Sequence, residues 1–183
     1  MRITVTLLQY EHGILRQALD VLDETVRNDA QDRLPDIQEL LAFLQEFVDR
    51  FHHAKEEQIF FPVVLREFPR LHENLDGILH EHEQARVLFQ ETDSALQLGD
   101  WESLKDSARR LAHHMTTHVT KEEDEIFPIV DNELALHLDE QMNQAFQVFL
   151  AEFGDDYYQK SEIFANEIQD RLLGPGFLNH GIY

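Results

Sequence analysis

Cysteine is absent from this chain of 183 residues. That excludes disulfides, thiolate metal ligands, iron–sulfur clusters and cysteine nucleophiles within it. Basic residues are scarce: 15 Lys and Arg stand against 36 Asp and Glu, a formal net charge of −21. A surface of that sign repels polyanions, so neither nucleic acid nor an anionic membrane is expected as a partner. No apolar run reaches the length needed to span a bilayer. The opening Met1-Arg2-Ile3-Thr4-Val5-Thr6 has no signal-peptide core, so a cytoplasmic location is expected. Gly-rich phosphate loops, Ser-His-Asp arrangements and basic aromatic patches are missing too. Hydrophobic residues make up 43%, enough for one domain with an ordinary core.

What is present is a duplication. Glu11-His12 is followed by Arg16, then after 52 − 12 = 40 residues by His52-His53-Ala54-Lys55-Glu56-Glu57 and Phe61-Pro62. Glu81-His82 is followed by Arg86, then after 118 − 82 = 36 residues by His118-Val119-Thr120-Lys121-Glu122-Glu123 and Phe127-Pro128. Register holds residue by residue from His52 to Pro62 against His118 to Pro128.

The chain reads as all-α. A first helix over about 4–26 has its apolar seam at Leu8, His12, Leu15, Leu19, Leu22 and Val26, with the alternating steps of four and three of a bundle helix. Asn28 to Asp32 forms the turn, and Pro35 suits the start of a second helix. That helix aligns Ile37, Leu41, Leu44, Val48, His52, Glu56 and Ile59, and Pro62 is expected to end or kink it. A third carries Leu75, Ile78, His82, Ala85, Phe89, Thr92 and Leu96 and stops at Gly99-Asp100. A fourth carries Leu104, Ala108, Leu111, Met115, His118 and Glu122 up to Pro128. Two further helices are expected, over about 134–153 and from Asp155 or Asp156 to about Leu173. An apolar tail, Phe177-Leu178 and Ile182-Tyr183, follows them. The expected division is a four-helix bundle over 1–130 and a helical extension over 131–183 that packs on the bundle or forms a homodimer interface.

Six polar residues thus occupy inward seams: His12, His52, Glu56, His82, His118 and Glu122. A single seam histidine is usually a hydrogen-bonded core residue, and a single Glu56 would pair with a cation one turn away. All six, recurring in order in both halves, make a poor core unless bound cations offset their burial. Imidazole and carboxylate suit iron, manganese or zinc. His53 and Glu57 share the same spacing one step round the helix, but the counterpart of His53 is Val119, so the repeat does not support His53. His114 is a neighbouring candidate. His72, His80, His113 and His137 read as solvated or peripheral, and His180 as incidental.

These segments resemble the hemerythrin-like, or HHE cation-binding, family over roughly Leu7 to Val130. The resemblance implies an up-down-up-down four-helix bundle holding two iron ions with an oxo or hydroxo bridge. His12 and His52 would serve one iron, His82 and His118 the other, and Glu56 and Glu122 would bridge them. It further implies a small-molecule ligand (O2, NO or peroxide) and a role as sensor, scavenger or stress-response factor. Storage or carriage without turnover, and a zinc-stapled bundle, are the alternatives. The oxygen carriers of the family have a fifth histidine one turn after the third-helix ligand. Arg86 stands there and Arg16 at the equivalent place in the first helix, and a guanidinium cannot ligate a cation. Two equally open irons are therefore expected, better placed to react than to carry. The four-His, two-Glu set is also similar to di-iron proteins of iron–sulfur cluster repair, but without their cysteine-bearing segment that role is not expected.

Overall fold

The computed structural model describes residues 1–177; part of the expected apolar tail (Leu178, Ile182, Tyr183) and His180 lie outside them. Among the described residues there is no strand. Four helical runs form the bundle: α1 (Ile3–Arg27), α2 (34–67), α3 (His72–Leu98) and α4 (101–133). Short connections make sequence neighbours antiparallel, and α4 packs back on α1 to close the ring. Two more helices follow, α5 (Leu136–Ala151) and α6 (Tyr157–Leu173). Both pack against α1 and α2.

Local chemistry fixes the ends. Gly99 has φ +66°, the left-handed conformation that closes a helix cheaply only for glycine. The Asp100 side chain accepts from the Ser103 amide at 3.2 Å and so caps α4. The α1 N-terminus is capped from a distance: buried Asp139 on α5 accepts from the Ile3 amide at 2.8 Å, the Thr4 amide at 3.1 Å and the Thr4 hydroxyl at 2.6 Å. A carboxylate there satisfies free amides and the positive end of the helix dipole.

Pro62 and Pro128 do not end their helices; of the two outcomes expected at Pro62, an end or a kink, the end does not occur. Helix α2 continues over Phe61–Glu67 and α4 over Phe127–Glu133. Before each proline the helix widens into π-turns: Glu46–His53 and Glu56–Phe60 in α2, and Glu122–Ile126 in α4. A π-turn bonds i to i+5. A proline placed just after it sits where an α-ladder has already been interrupted, so its missing N–H and its ring cost less than in a regular helix.

The predicted seams are buried as expected on α1 and α4. On α2 the widened turns rotate the face: Ile59 is only half-buried and Phe60 goes inside instead. The apolar interior is divided in two. One cluster holds Leu15, Leu19, Leu22, Leu44, Phe51, Ala85, Leu111 and Val119, and the other holds Val5, Leu8, Phe60, Leu75, Ile78, Ile126 and Phe146. Along the bundle helices the buried histidines and glutamates fall at or beside the boundary between these two sets. His12 lies between Leu8 and Leu15, for example, and Glu122 between Val119 and Ile126. The polar residues form one layer across the bundle, sealed above and below by hydrocarbon.

Candidate metal centre

Each bundle helix delivers its part of the layer: α1 brings His12, α2 His52, His53 and Glu56, α3 His82, and α4 His118 and Glu122. All seven are at most 1% exposed. Their donor atoms fall into groups within 4.8 Å: His12, His52, Glu56 and Glu122; Glu56, His82, His118 and Glu122; and His53, His82 and His118. The six residues singled out in the sequence are thus brought together, and both glutamates belong to both four-membered groups.

His53, which the repeat did not support, lies with them. Its ring stacks on His82 with centroids 3.6 Å apart and planes 10° from parallel, and lies 5.3 Å from His118. His52 and His53 lie in a π-turn stretch of α2, and these two successive side chains share the inward face. Val119, the residue at the matching place on α4, is also fully buried. The two sides of the layer differ in the imidazoles they gather. Three imidazoles meet on the His82 side and two on the His12 side.

The polarity of the layer asks for cations. Both ring nitrogens of His53, both carboxylate oxygens of Glu56 and of Glu122, and Nε2 of His82 and His118 are buried without a hydrogen-bond partner. Leaving so many buried polar atoms unpaired is costly. Cations among them would serve the carboxylate oxygens, the two Nε2 atoms and one nitrogen of His53. His12 Nε2 and His52 Nε2 face each other at 3.2 Å, as two lone pairs aimed at one ion would.

The outward nitrogens of the other four histidines are all engaged, and the duplication explains how. His52 Nδ1 donates to Glu11 at 2.9 Å, His118 Nδ1 to Glu81 at 3.0 Å, His12 Nδ1 to Glu123 at 2.8 Å and His82 Nδ1 to Glu57 at 2.7 Å. Each glutamate is in turn held by a cation one turn past the histidine it serves: Glu11 by Lys55, Glu81 by Lys121, Glu123 by Arg16 and Glu57 by Arg86. The two guanidinium–carboxylate contacts of Arg16 are 2.9 and 2.7 Å. Fixing Nδ1–H outward leaves Nε2 as the lone pair facing inward, the tautomer that a metal requires. These eight residues had no assigned task in the sequence reading, although each recurred with its ligand.

Electrostatics follow the same plan. Burial works against the charge of Glu11, but Lys55 and His52 hold its carboxyl down to about 2. Glu81 and Glu123 are held at about 2 by their histidine and cation partners, against their partial burial. Burial pushes His52 down to about 4 and His53 and His82 below the ordinary imidazole value, so these rings are neutral and able to ligate. His12 goes the other way, since Glu122 and Glu123 outweigh its burial. Burial and the charge of Glu122 push Glu56 well upward. Two carboxylates confined together hold one proton between them unless a cation replaces it.

A family model for the hemerythrin HHE cation-binding domain matches residues 4–130. The chain belongs to that family. No curated protein and no solved structure matches it significantly. The match ends near the close of α4 and spans the buried His/Glu layer, the candidate cation-binding centre. His114, also raised as a candidate, stays outside the hemerythrin ligand groups. It bonds through Nε2 to the Glu81 carbonyl at 2.8 Å. His72, His80, His113 and His137 are exposed. Arg16 and Arg86, which replace the expected extra histidine of oxygen-carrying hemerythrins, clamp outer carboxylates instead.

Proposed function

We propose that this hemerythrin domain is a non-haem di-iron protein with unequal metal places. His53, His82 and His118 would hold one ion, His12 and His52 the other, and Glu56 and Glu122 would bridge them. Three imidazoles would then serve the first ion and two the second, and each glutamate could offer one oxygen to either ion, so the second place would be one imidazole short. When loaded, such a pair supplies one open coordination place at which a small ligand of the class O2, NO or peroxide can bind. The observation that carries this reading is His53, whose imidazole has both nitrogens buried and unpartnered beside His82 and His118.

The protein's own residues make the place selective. The outer carboxylates keep the Nε2 lone pairs aimed inward. Phe127 stacks on His12 at 5.4 Å and Phe61 tilts on His82 at 5.8 Å, so the layer is closed to bulk water from the side of the second apolar cluster. One open place beside one filled place suits binding and release of a single ligand. The function supported best is therefore carriage or sensing rather than reaction at two open irons. A zinc staple is supported less, because the two four-donor groups share both glutamates, whereas a structural zinc takes four ligands of its own.

The test is elemental analysis followed by nitric oxide titration of the anaerobically reduced protein. Two irons per chain and one NO bound per pair are expected. Two NO per pair would mean equal, open places; zinc, or less than one iron per chain, would overturn the di-iron reading.

A further inference from the structure

The four His–Glu–cation clamps are built alike but finished differently, and the C-terminal helices make the difference. Glu81 and Lys121 lie at the bundle surface, their side chains 23% and 30% exposed. Their counterparts Glu11 and Lys55 are buried at 0% and 1%. What covers them comes from beyond the hemerythrin domain. Tyr158 of α6 donates its hydroxyl to Glu11 Oε1 at 2.5 Å. Lys55 Nζ also lies 3.3 Å from that hydroxyl, 4.3 Å from the centre of the Phe51 ring and 4.9 Å from that of Phe146 on α5. Water can complete the shell of Glu81, whereas Glu11 depends on Tyr158 and Lys55 for Oε1 and leaves Oε2 to His52.

We propose that Tyr158 is a positioning residue for the two-imidazole metal place, acting through Glu11 on His52. This rests on the two-ion reading given above. Without the phenol, Oε1 of Glu11 is held by Lys55 alone in a dry pocket. The carboxylate is then free to turn toward the ammonium and away from His52 Nδ1. The imidazole loses the contact that fixes its tautomer and ring angle, so its hold on a metal weakens. The three-imidazole place, whose outer partners Glu57 and Glu81 lie on α2 and α3, does not depend on α6. The extension thus tunes one metal place and leaves the other alone.

The experiment follows iron(II) release from the loaded, reduced protein into excess chelator without oxygen, for the natural chain, Tyr158→Phe and Tyr157→Phe. The phenylalanine at 158 keeps the ring and its packing and removes only the donor. Tyr157 is a matched control: its hydroxyl reaches Glu46 at 3.4 Å and has no hydrogen bond to Glu11. Two release phases are expected in the natural protein. In Tyr158→Phe one phase should quicken about 10- to 100-fold, the usual range for losing an outer partner of a metal-bound histidine. The other phase, and the whole Tyr157→Phe profile, should stay as they were. Unchanged release from Tyr158→Phe, or both phases quickening together as from a loosened fold, would overturn the positioning role while leaving the two-ion reading intact. A natural protein that holds fewer than two irons would overturn that reading and this inference with it.

Discussion

The His12–His52 place and the His82–His118 place share two glutamates and the same four-part clamp, yet they differ in two respects. At the second, His53 adds an imidazole where the duplicate position on the opposite helix has Val119. At the first, α5 and α6 bury Glu11 and Lys55, while the matching Glu81 and Lys121 face solvent. Duplication therefore supplies the frame, and a few departures from it distinguish the two places. On the proposed reading a third nitrogen would fill one place, a valine would leave the other a donor short, and a tyrosine from outside the repeat would stiffen it.

The comparison is broken most completely by removing what the two places share. Glu56 belongs to both ligand groups, so Glu56→Ala should leave less than about a tenth of the natural metal content, because one substitution takes an oxygen from each ion. Elemental analysis of the purified variant checks this, and two retained ions would show that Glu56 does not bridge.

His53→Val tests the asymmetry itself by making the halves alike. Metal at the three-imidazole place should weaken at least about 10-fold, by the scale of losses at such sites. Without metal the sign reverses. The substitution removes a buried, unpartnered imidazole, a penalty of about 1–3 kcal/mol, at similar side-chain volume. The metal-free variant should melt higher by roughly 2–4 °C per kcal/mol for a chain of this length. A lower melting temperature in both states would assign His53 a packing role only.

Acid should act least selectively. The neutral state of His52, His53 and His82 is favoured in the fold, so the unfolded chain takes up protons first as pH falls below the ordinary imidazole value of 6.5. Glu11, Glu81 and Glu123 are held at about 2, so their contribution is present above the ordinary 4.5 and is lost as pH falls from there toward 2. His12 and Glu56, both raised, oppose this trend. Glu57 and Glu122 are lowered as well, so eight groups stand against two, and the metal-free protein should melt about 10 °C or more lower at pH 4 than at pH 7. A flat profile by circular dichroism would show that the clamps contribute little.

Much of the structure was legible because periodicity and repetition report it directly. Leu8, Leu15, Leu19 and Leu22 mark the α1 seam, and the same six ligand residues recur in order. His53 was left unsupported because its face was judged by α-helical steps and by its counterpart Val119; neither anticipates a π-turn stretch in which two neighbours share the inward face. The clamps left a trace that went unused: Glu11, Arg16, Lys55 and Glu57 recur as Glu81, Arg86, Lys121 and Glu123, and surface charges have no reason to keep register with ligands. Tyr158 left none, since its bond to Glu11 joins residues 147 apart. The prolines misled for the same reason as His53, because the widened turn that accommodates them is a tertiary adjustment around the polar layer.

The central claim is that the two metal places are unequal. The Mössbauer spectrum of the iron-57-loaded, oxidised protein tests it most directly, because each iron reports its own ligand set. Two resolved quadrupole doublets of equal area are predicted in the natural protein, merging toward one in His53→Val. A single doublet in the natural protein would contradict the account.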